Sequence, residues 1–245
     1  MELDGRVAVV TGGTKGLGLR ITEAFVAEGA RVVVAARGVE GAREALAPLG
    51  DRAVFHRADV RDPGSVRALM DGAAERFGGI DVLVANAGVS RPGPLAGLSA
   101  GDWAEALDTN LGGLFHCVQA AVPHLERSPA GRIIALSSAL ASRPTPGAAS
   151  YCATKAAVEM FSKVAALELA PKGITVNCLS PGFIDEGMGR RLKQNPQVWS
   201  RYAPKVSVGR MGRGEEVAGA AVYLAGAGAS YVNGHVLEVN GGLGW

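Results

Sequence analysis

The chain carries almost no charge imbalance, few cysteines and no long apolar or low-complexity stretch, and each shortage removes a class of function. Its 25 Lys and Arg against 23 Asp and Glu leave a net charge of +2, which offers no electrostatic basis for binding nucleic acid or an anionic membrane. The three cysteines, Cys117, Cys152 and Cys178, have no CxxC spacing and no histidine partner pattern, and one stays unpaired in any disulfide scheme. Neither a disulfide framework nor a metal site is expected, and a reducing cytoplasm fits best. The start, Met1 to Asp4, has neither the basic residues nor the apolar run of a signal peptide. Residues 217–232 are apolar, but too short and too interrupted by glycine to cross a membrane.

What is present is the composition of a globule: 48 % hydrophobic and 20 % charged, with 35 glycines and no collagen-like period. So much glycine serves turns, close packing and backbone approach to a ligand. Short runs rich in Val, Ile and Leu at 6–11, 31–36, 53–57, 81–85, 132–137, 175–179 and 236–239 alternate with helical patterns at 17–28, 41–49, 63–77, 100–125, 150–170 and 215–225. Gly29 closes the first helix, and Pro63 after Asp62 opens the third. Seven strands alternating with helices predict a Rossmann-type α/β fold: a doubly wound parallel sheet covered on both faces, in one domain over 1–245.

After the first strand come Thr11, Gly12, Gly13, Thr14, Lys15, Gly16, Leu17 and Gly18, leading into a helix. Glycines there let the chain turn tightly and bring helix amides against a pyrophosphate. Where NAD-binding folds place an acid after the second strand, this chain has Ala36 and Arg37. A guanidinium suits a 2′-phosphate and Lys15 adds a second cation, so NADPH is favoured over two merely solvated surface cations.

The remaining motifs make the chain resemble the short-chain dehydrogenases/reductases over nearly its full length: Gly12 to Gly18, Asp59 and Val60, Asn86-Ala87-Gly88, Asn110, Ser138, Tyr151 followed four residues on by Lys155, Asn177, and Pro181-Gly182. Within that family it is most similar to the 3-oxoacyl-[acyl-carrier-protein] reductases, through Gly131 to Ile134, Gly173 to Asn177, Pro181 to Ile184 and Gly209 to Gly212. Tyr151 and Lys155 share a helix face. An ammonium beside a phenol, whose ordinary pKa is about 10, favours the phenolate and makes Tyr151 a usable acid or base. The resemblance gives Lys155 a second task, bonding the nicotinamide ribose. Ser138, at the carboxyl edge of the sheet, would bond the substrate carbonyl; Ser137 is the rival that strand alternation alone does not exclude.

Asn110 would relay protons toward Lys155, through its side chain or a bound water. Asp59 and Val60 would contact the adenine, unless Asp59 is only a helix N-terminal acid. Asn86, Ala87 and Gly88 would hold the sheet and line the cofactor, and Pro181, Gly182 and Ile184 would border the nicotinamide. The resemblance further implies a homotetramer paired through helices 100–125 and 150–170, where Ala153, Ala156, Ala157 and Ala165 permit close approach. Trp245 would reach toward a neighbouring subunit's site.

Two features depart from the family pattern. Glu186 stands where a threonine commonly meets the nicotinamide carboxamide; it changes that contact, or points to solvent while Asp185 or a backbone amide substitutes. Of the basic positions that dock carrier protein, one is Lys172 and the other is Pro129, with Arg127 two residues away. The stretch 185–213 holds Arg190, Arg191, Lys193, Arg201, Lys205, Arg210 and Arg213 against Asp185 and Glu186, a local +5 that leaves −3 elsewhere. It would receive a phosphate, an acidic carrier protein or a carboxylate, or be a solvated helix face. The expected substrate is a ketone, foremost a 3-oxoacyl thioester on acyl carrier protein or CoA. A small cyclic, sugar or steroid-like alcohol, and a non-catalytic NADPH-binding regulator, are the alternatives. The substrate loops are placed at 89–98, 139–149 and 183–209.

Overall fold

Branched side chains buried on both faces of the backbone build the interior strands. In β1 (Val7–Thr11), β4 (Val82–Ala85), β5 (Gly131–Leu136) and β6 (Ile174–Pro181) nearly every residue is buried, while β3 (Ala53–Arg57) and β7 (Val236–Val239) are half-exposed edges. With β2 (Arg31–Ala36) they form one all-parallel sheet in the order β3-β2-β1-β4-β5-β6-β7. Continuous burial is what a parallel sheet between two helical layers requires. The computed structural model describes residues 1–244 apart from the side chains of Arg191 and Val198, so the expectations for Arg191 and Trp245 lie outside the described residues.

Alternation along each strand separates two cores. Val9, Val33, Leu83 and Ile133 pack under α3 (Pro63–Phe77), α5 (Gly113–Leu125) and α6 (Ala149–Leu169). Val10, Val34, Val84 and Ile134 pack under α1 (Gly16–Ala27) and α9 (Gly214–Ala225). The expected punctuation is present: Gly29 follows α1 at φ +93°, and Asp62 caps α3 by accepting from the Gly64 amide at 2.9 Å.

Three helical assignments change. The helix expected at 41–49 is only α2 (Ala42–Leu46), followed by a tight turn. The long helix expected at 100–125 divides into α4 (Ala100–Leu107) and α5, joined by a π-helical turn at Asp108–Gly112 that contains Asn110. The stretch read as a loop at 183–209 holds α7 (Gly187–Lys193) and α8 (Pro196–Tyr202). Both are short and glycine- or proline-marked, so tertiary contacts rather than propensity sustain them.

Candidate active site

The carboxyl ends of β1 and β4 are joined through two polar side chains. Thr11 Oγ1 accepts from the amides of Asn86 and Ala87, each at 3.1 Å, while Asn86 Nδ2 donates to the carbonyls of Thr11 (2.9 Å) and Gly12 (3.1 Å). Asn86 therefore ties the glycine-rich turn to the sheet. A side chain on Gly18 would strike the Gly12 carbonyl and come within 2.5 Å of the Asn86 amide, so this close turn requires glycine. The amino end of α1 has no side-chain cap and no acid in its first turn. Its free amides and positive dipole end fit an anion such as a pyrophosphate. Lys15 and Arg37 are exposed and, among the described residues, make no ion pair. Thr14 and Leu17 lie half-buried along the same turn.

Asp59 is held by Arg61, whose Nη2 and Nε donate to its two oxygens at 2.6 and 3.0 Å. That hydrogen-bonded guanidinium, with Arg37 farther off, lowers the Asp59 pKa. The helix N-terminal acid of this region is Asp62 rather than Asp59, which removes one of the two readings of Asp59. Val60 is buried against Gly113, and its carbonyl meets His116 Nδ1 at 2.9 Å.

The end of β5, the start of α6 and the π turn converge at the same edge of the sheet. The Ser138 hydroxyl faces the Tyr151 phenol and helps to hold its pKa down, and Ser138 Oγ accepts from the Leu140 amide at 3.2 Å. Ser137 turns the other way: its hydroxyl donates to Glu159 Oε1 at 2.7 Å, anchoring α6. Of the two serines, Ser138 is thus the one that faces Tyr151. Lys155 is 4 % exposed; its Nζ donates to the Leu136 carbonyl at 2.5 Å and lies 5.6 Å from the Tyr151 ring centroid. Burial pulls the Lys155 pKa down to about 8. It pushes the Tyr151 phenol up, with the Ser138 hydroxyl opposing. The net direction at Tyr151 is therefore set by burial rather than by its lysine.

Asn110 is 3 % exposed and both ends of its side chain are held. Oδ1 accepts from the Val89 amide at 2.8 Å, and Nδ2 donates to the Val89 carbonyl and to Thr154 Oγ1, both at 3.0 Å. Oδ1 keeps a second lone pair, able to accept from a bound water. A small cavity of about 10 Å³, bordered by Thr11, Asn110, Leu136 and Lys155, has room for one water. Gly88 is the floor beneath both groups: a Cβ there would sit 3.3 Å from Asn110 Oδ1 and 3.7 Å from Lys155 Nζ. Cys152, next to Tyr151 in the chain, lines an open pocket of about 430 Å³ with Leu95, Pro144, Thr145, Pro146, Gly147 and Ala149, none of them charged.

Pro181 and Gly182 lie against the end of β7, where a Cβ on Gly182 would approach Asn240 Cα to 2.7 Å. The Ile184 side chain is turned into the core. Asn177 bonds the Val232 carbonyl and the His235 amide, a framework role. Glu186 does not point to solvent: its oxygens meet Arg20 Nε at 2.8 Å and Arg190 Nη2 at 3.2 Å. Much of the basic stretch is neutralised locally, with Lys193 on Asp185 and Arg210 and Arg213 on Glu216. Lys172 likewise pairs with Glu126 at 2.5 Å, and Arg127 contacts His124 at 2.9 Å. Sequence reading passed over Arg20, Arg61 and Thr154. A cation on an amphipathic helix or a threonine beside a lysine carries no signal until the fold brings its partner up.

A family model described as Enoyl-(Acyl carrier protein) reductase matches residues 12–244. The chain is 36 % identical over 243 residues to a 3-oxoacyl-[acyl-carrier-protein] reductase of Salmonella typhimurium, with 99 % of each chain covered. It is 35 % identical over 243 residues to the protein of that name from Escherichia coli, again with 99 % of each covered. The Haemophilus influenzae protein of the same name is 37 % identical over 241 residues, covering 98 % of this chain and 99 % of its own.

Proposed function

The chain belongs to the short-chain dehydrogenase/reductase family, and on that premise we propose that it is an NADPH-dependent reductase of a 3-oxoacyl thioester, with Tyr151 as the proton donor. The observation that most supports this is that Ser138, not Ser137, faces Tyr151 at the carboxyl edge of the sheet, with the buried Lys155 one helical turn on. Two hydroxyls that converge can both bond one carbonyl oxygen, which polarises it toward attack. Bound NADPH supplies the hydride. Tyr151, held protonated by burial, donates the proton as the oxygen becomes an alkoxide, and Lys155 steadies the charge left on the phenol. The cavity between Asn110 and Lys155 suits a water that returns the proton.

The turn at Gly12, Thr14, Gly16, Leu17 and Gly18 would hold the pyrophosphate, Lys15 and Arg37 the 2′-phosphate, and Asp59 and Val60 the adenine. Asn86, Ala87 and Gly88 with Pro181, Gly182 and Ile184 would border the nicotinamide half. The uncharged pocket beside Cys152 suits an acyl chain. Exposed Phe115 on α5 and Met160, Val164 and Leu167 along one face of α6 support pairing of these helices in a homotetramer. Of the small residues on α6, Ala165 is buried in its own subunit, whereas Ala153 and Ala156 are exposed and available to a neighbour. Three free cysteines and no helix, among the described residues, able to cross a membrane suit a cytoplasmic enzyme.

The test is NADPH against NADH oxidation with acetoacetyl-CoA, the acyl-carrier-protein thioester and, in parallel, a 2-enoyl thioester. Native turnover should favour NADPH and the 3-oxo substrates. Tyr151→Phe should abolish it, and Arg37→Ala should raise the KM for NADPH about tenfold without affecting NADH. Tight NADPH binding without turnover of any thioester would discard that substrate and favour the non-catalytic NADPH-binding reading, with the cyclic, sugar or steroid-like alcohols the next substrates to assay.

A further inference from the structure

Where β6 ends, the chain runs through Phe183, Ile184 and Asp185 before entering α7. This root is fixed: the Gly212 amide donates to the Phe183 carbonyl at 2.9 Å, and the Asp185 amide to the Gly212 carbonyl at 2.8 Å. Beyond it, Gly187 settles directly on the glycine-rich turn, so that a Cβ on Gly16 would lie 3.4 Å from Gly187 Cα. Both glycines have positive φ, +55° and +50°, a conformation other residues rarely adopt. Whatever binds the turn shares the space bounded by these two residues.

Glu186 sits at the joint between root and helix. Its carboxylate bridges two cations on different elements, Arg20 on α1 at 2.8 Å and Arg190 on α7 at 3.2 Å, and its side chain is only 10 % exposed. Arg20 is oriented by two further acids, Glu23 at 2.9 Å and Glu215 at 3.6 Å, and Arg190 also lies 3.8 Å from Asp185. Room for the joint comes from Gly214, whose missing Cβ would stand 2.7 Å from Arg20 Cγ and 2.9 Å from Glu186 Cγ. The far end of the segment is secured separately, by Tyr202 Oη against Thr145 Oγ1 at 2.9 Å. Among the described residues, the segment is held at its root, at its far end and by ring packing of Trp199 and Tyr202 on Phe183, and Glu186 ties it ionically to the helix that begins at the glycine-rich turn.

We propose that Glu186 is a positioning residue: by bridging Arg20 and Arg190 it latches α7 onto the glycine-rich turn and sets how long the dinucleotide stays bound. The consequence for the cofactor rests on the reading of that turn as the NADPH site; the latch itself does not. An ionic latch to α1 holds the segment down whether or not its backbone touches the nicotinamide.

The experiment is a double-mutant cycle of Glu186→Gln, Arg20→Gln and both together, read in two ways. In the cofactor-free protein, deuterium uptake by amides 186–193 should rise in each single variant and no further in the double, with global unfolding unchanged. In the loaded protein, NADPH release measured by stopped-flow fluorescence should quicken about fivefold in each, again without additivity. High salt should bring the native rate toward that of the variants. Unchanged uptake, or additive effects, overturns the latch. Raised uptake with an unchanged release rate overturns its link to the cofactor. Failure of the native chain to bind NADPH would strike the cofactor assignment instead, with the uptake measurement still deciding the latch.

Discussion

Replacing Asn110 by alanine separates a clamp from a relay. The side chain makes three hydrogen bonds, with the Val89 amide at 2.8 Å and with the Val89 carbonyl and Thr154 Oγ1 at 3.0 Å each. Each contributes about 1 kcal/mol net, and the half-buried Val89 groups left behind regain only part of their hydration. Asn110→Ala should then cost about 3 kcal/mol, which for a chain of this length lowers Tm by about 9 °C. Urea titration should show an earlier midpoint with the same slope, since no new surface is exposed in the native state. Asn110→Asp keeps the acceptor for the Val89 amide but loses both donations and buries a charge, so it should be at least as destabilised. Turnover should fall in both because the 86–89 loop and the start of α6 lose their tie. A loss below about 1 kcal/mol accompanied by a collapse in turnover would refute this reasoning and place Asn110 in the chemistry itself.

Lys155 makes stability depend on pH. An unfolded lysine, with pKa 10.5, holds a proton that folded Lys155, near 8, releases, so stability rises with pH between these values. Below about pH 8 both states are protonated and the burial penalty stands in full. From about pH 7.5 to about pH 9.5 Lys155 should contribute a gain of about 2 kcal/mol in urea unfolding, read as the difference between the native chain and Lys155→Met. The difference is the readout because the buried thiols Cys117 and Cys178, raised to about 12 and about 11, stay protonated in the folded chain and act with the opposite sign above about pH 9, as Tyr151 does above its ordinary 10. Native and Lys155→Met profiles that run parallel in this window would contradict the buried lysine. Ser138→Ala should lower kcat on the order of 100-fold with little change in stability, the loss of one carbonyl donor. Ser137→Ala should cost about 1 kcal/mol of stability through the lost Glu159 bond and leave kcat near native, and the reverse pattern would transfer the role.

The sheet was legible in the sequence because parallel strands buried on both faces must be written as unbroken runs of Val, Ile and Leu, and no long-range information is needed to see them. The glycine-rich turn was legible for a related reason: Gly12 and Gly16 at positive φ, and Gly18 against the Gly12 carbonyl, are dictated within the turn itself. The four-residue spacing of Tyr151 and Lys155 likewise follows from helix geometry alone. Which serine faces Tyr151 was not, since Ser137 and Ser138 are adjacent where the strand ends, and only the position of Glu159 on α6 draws one of them away. The π turn at Asp108–Gly112 was invisible because its residues are ordinary in a helix, and the tertiary bonds of Asn110 to Val89 and Thr154 fix its place. The pairing within the basic stretch 185–213 was hidden for the complementary reason. A charge count gives no partners, and folding sets Arg190 and Lys193 beside Glu186 and Asp185 and brings Arg210 and Arg213 to Glu216. The pKa values of the pair were decided by tertiary structure as well: spacing set Lys155 beside Tyr151, but burial, not proximity, determined which way each proton is held.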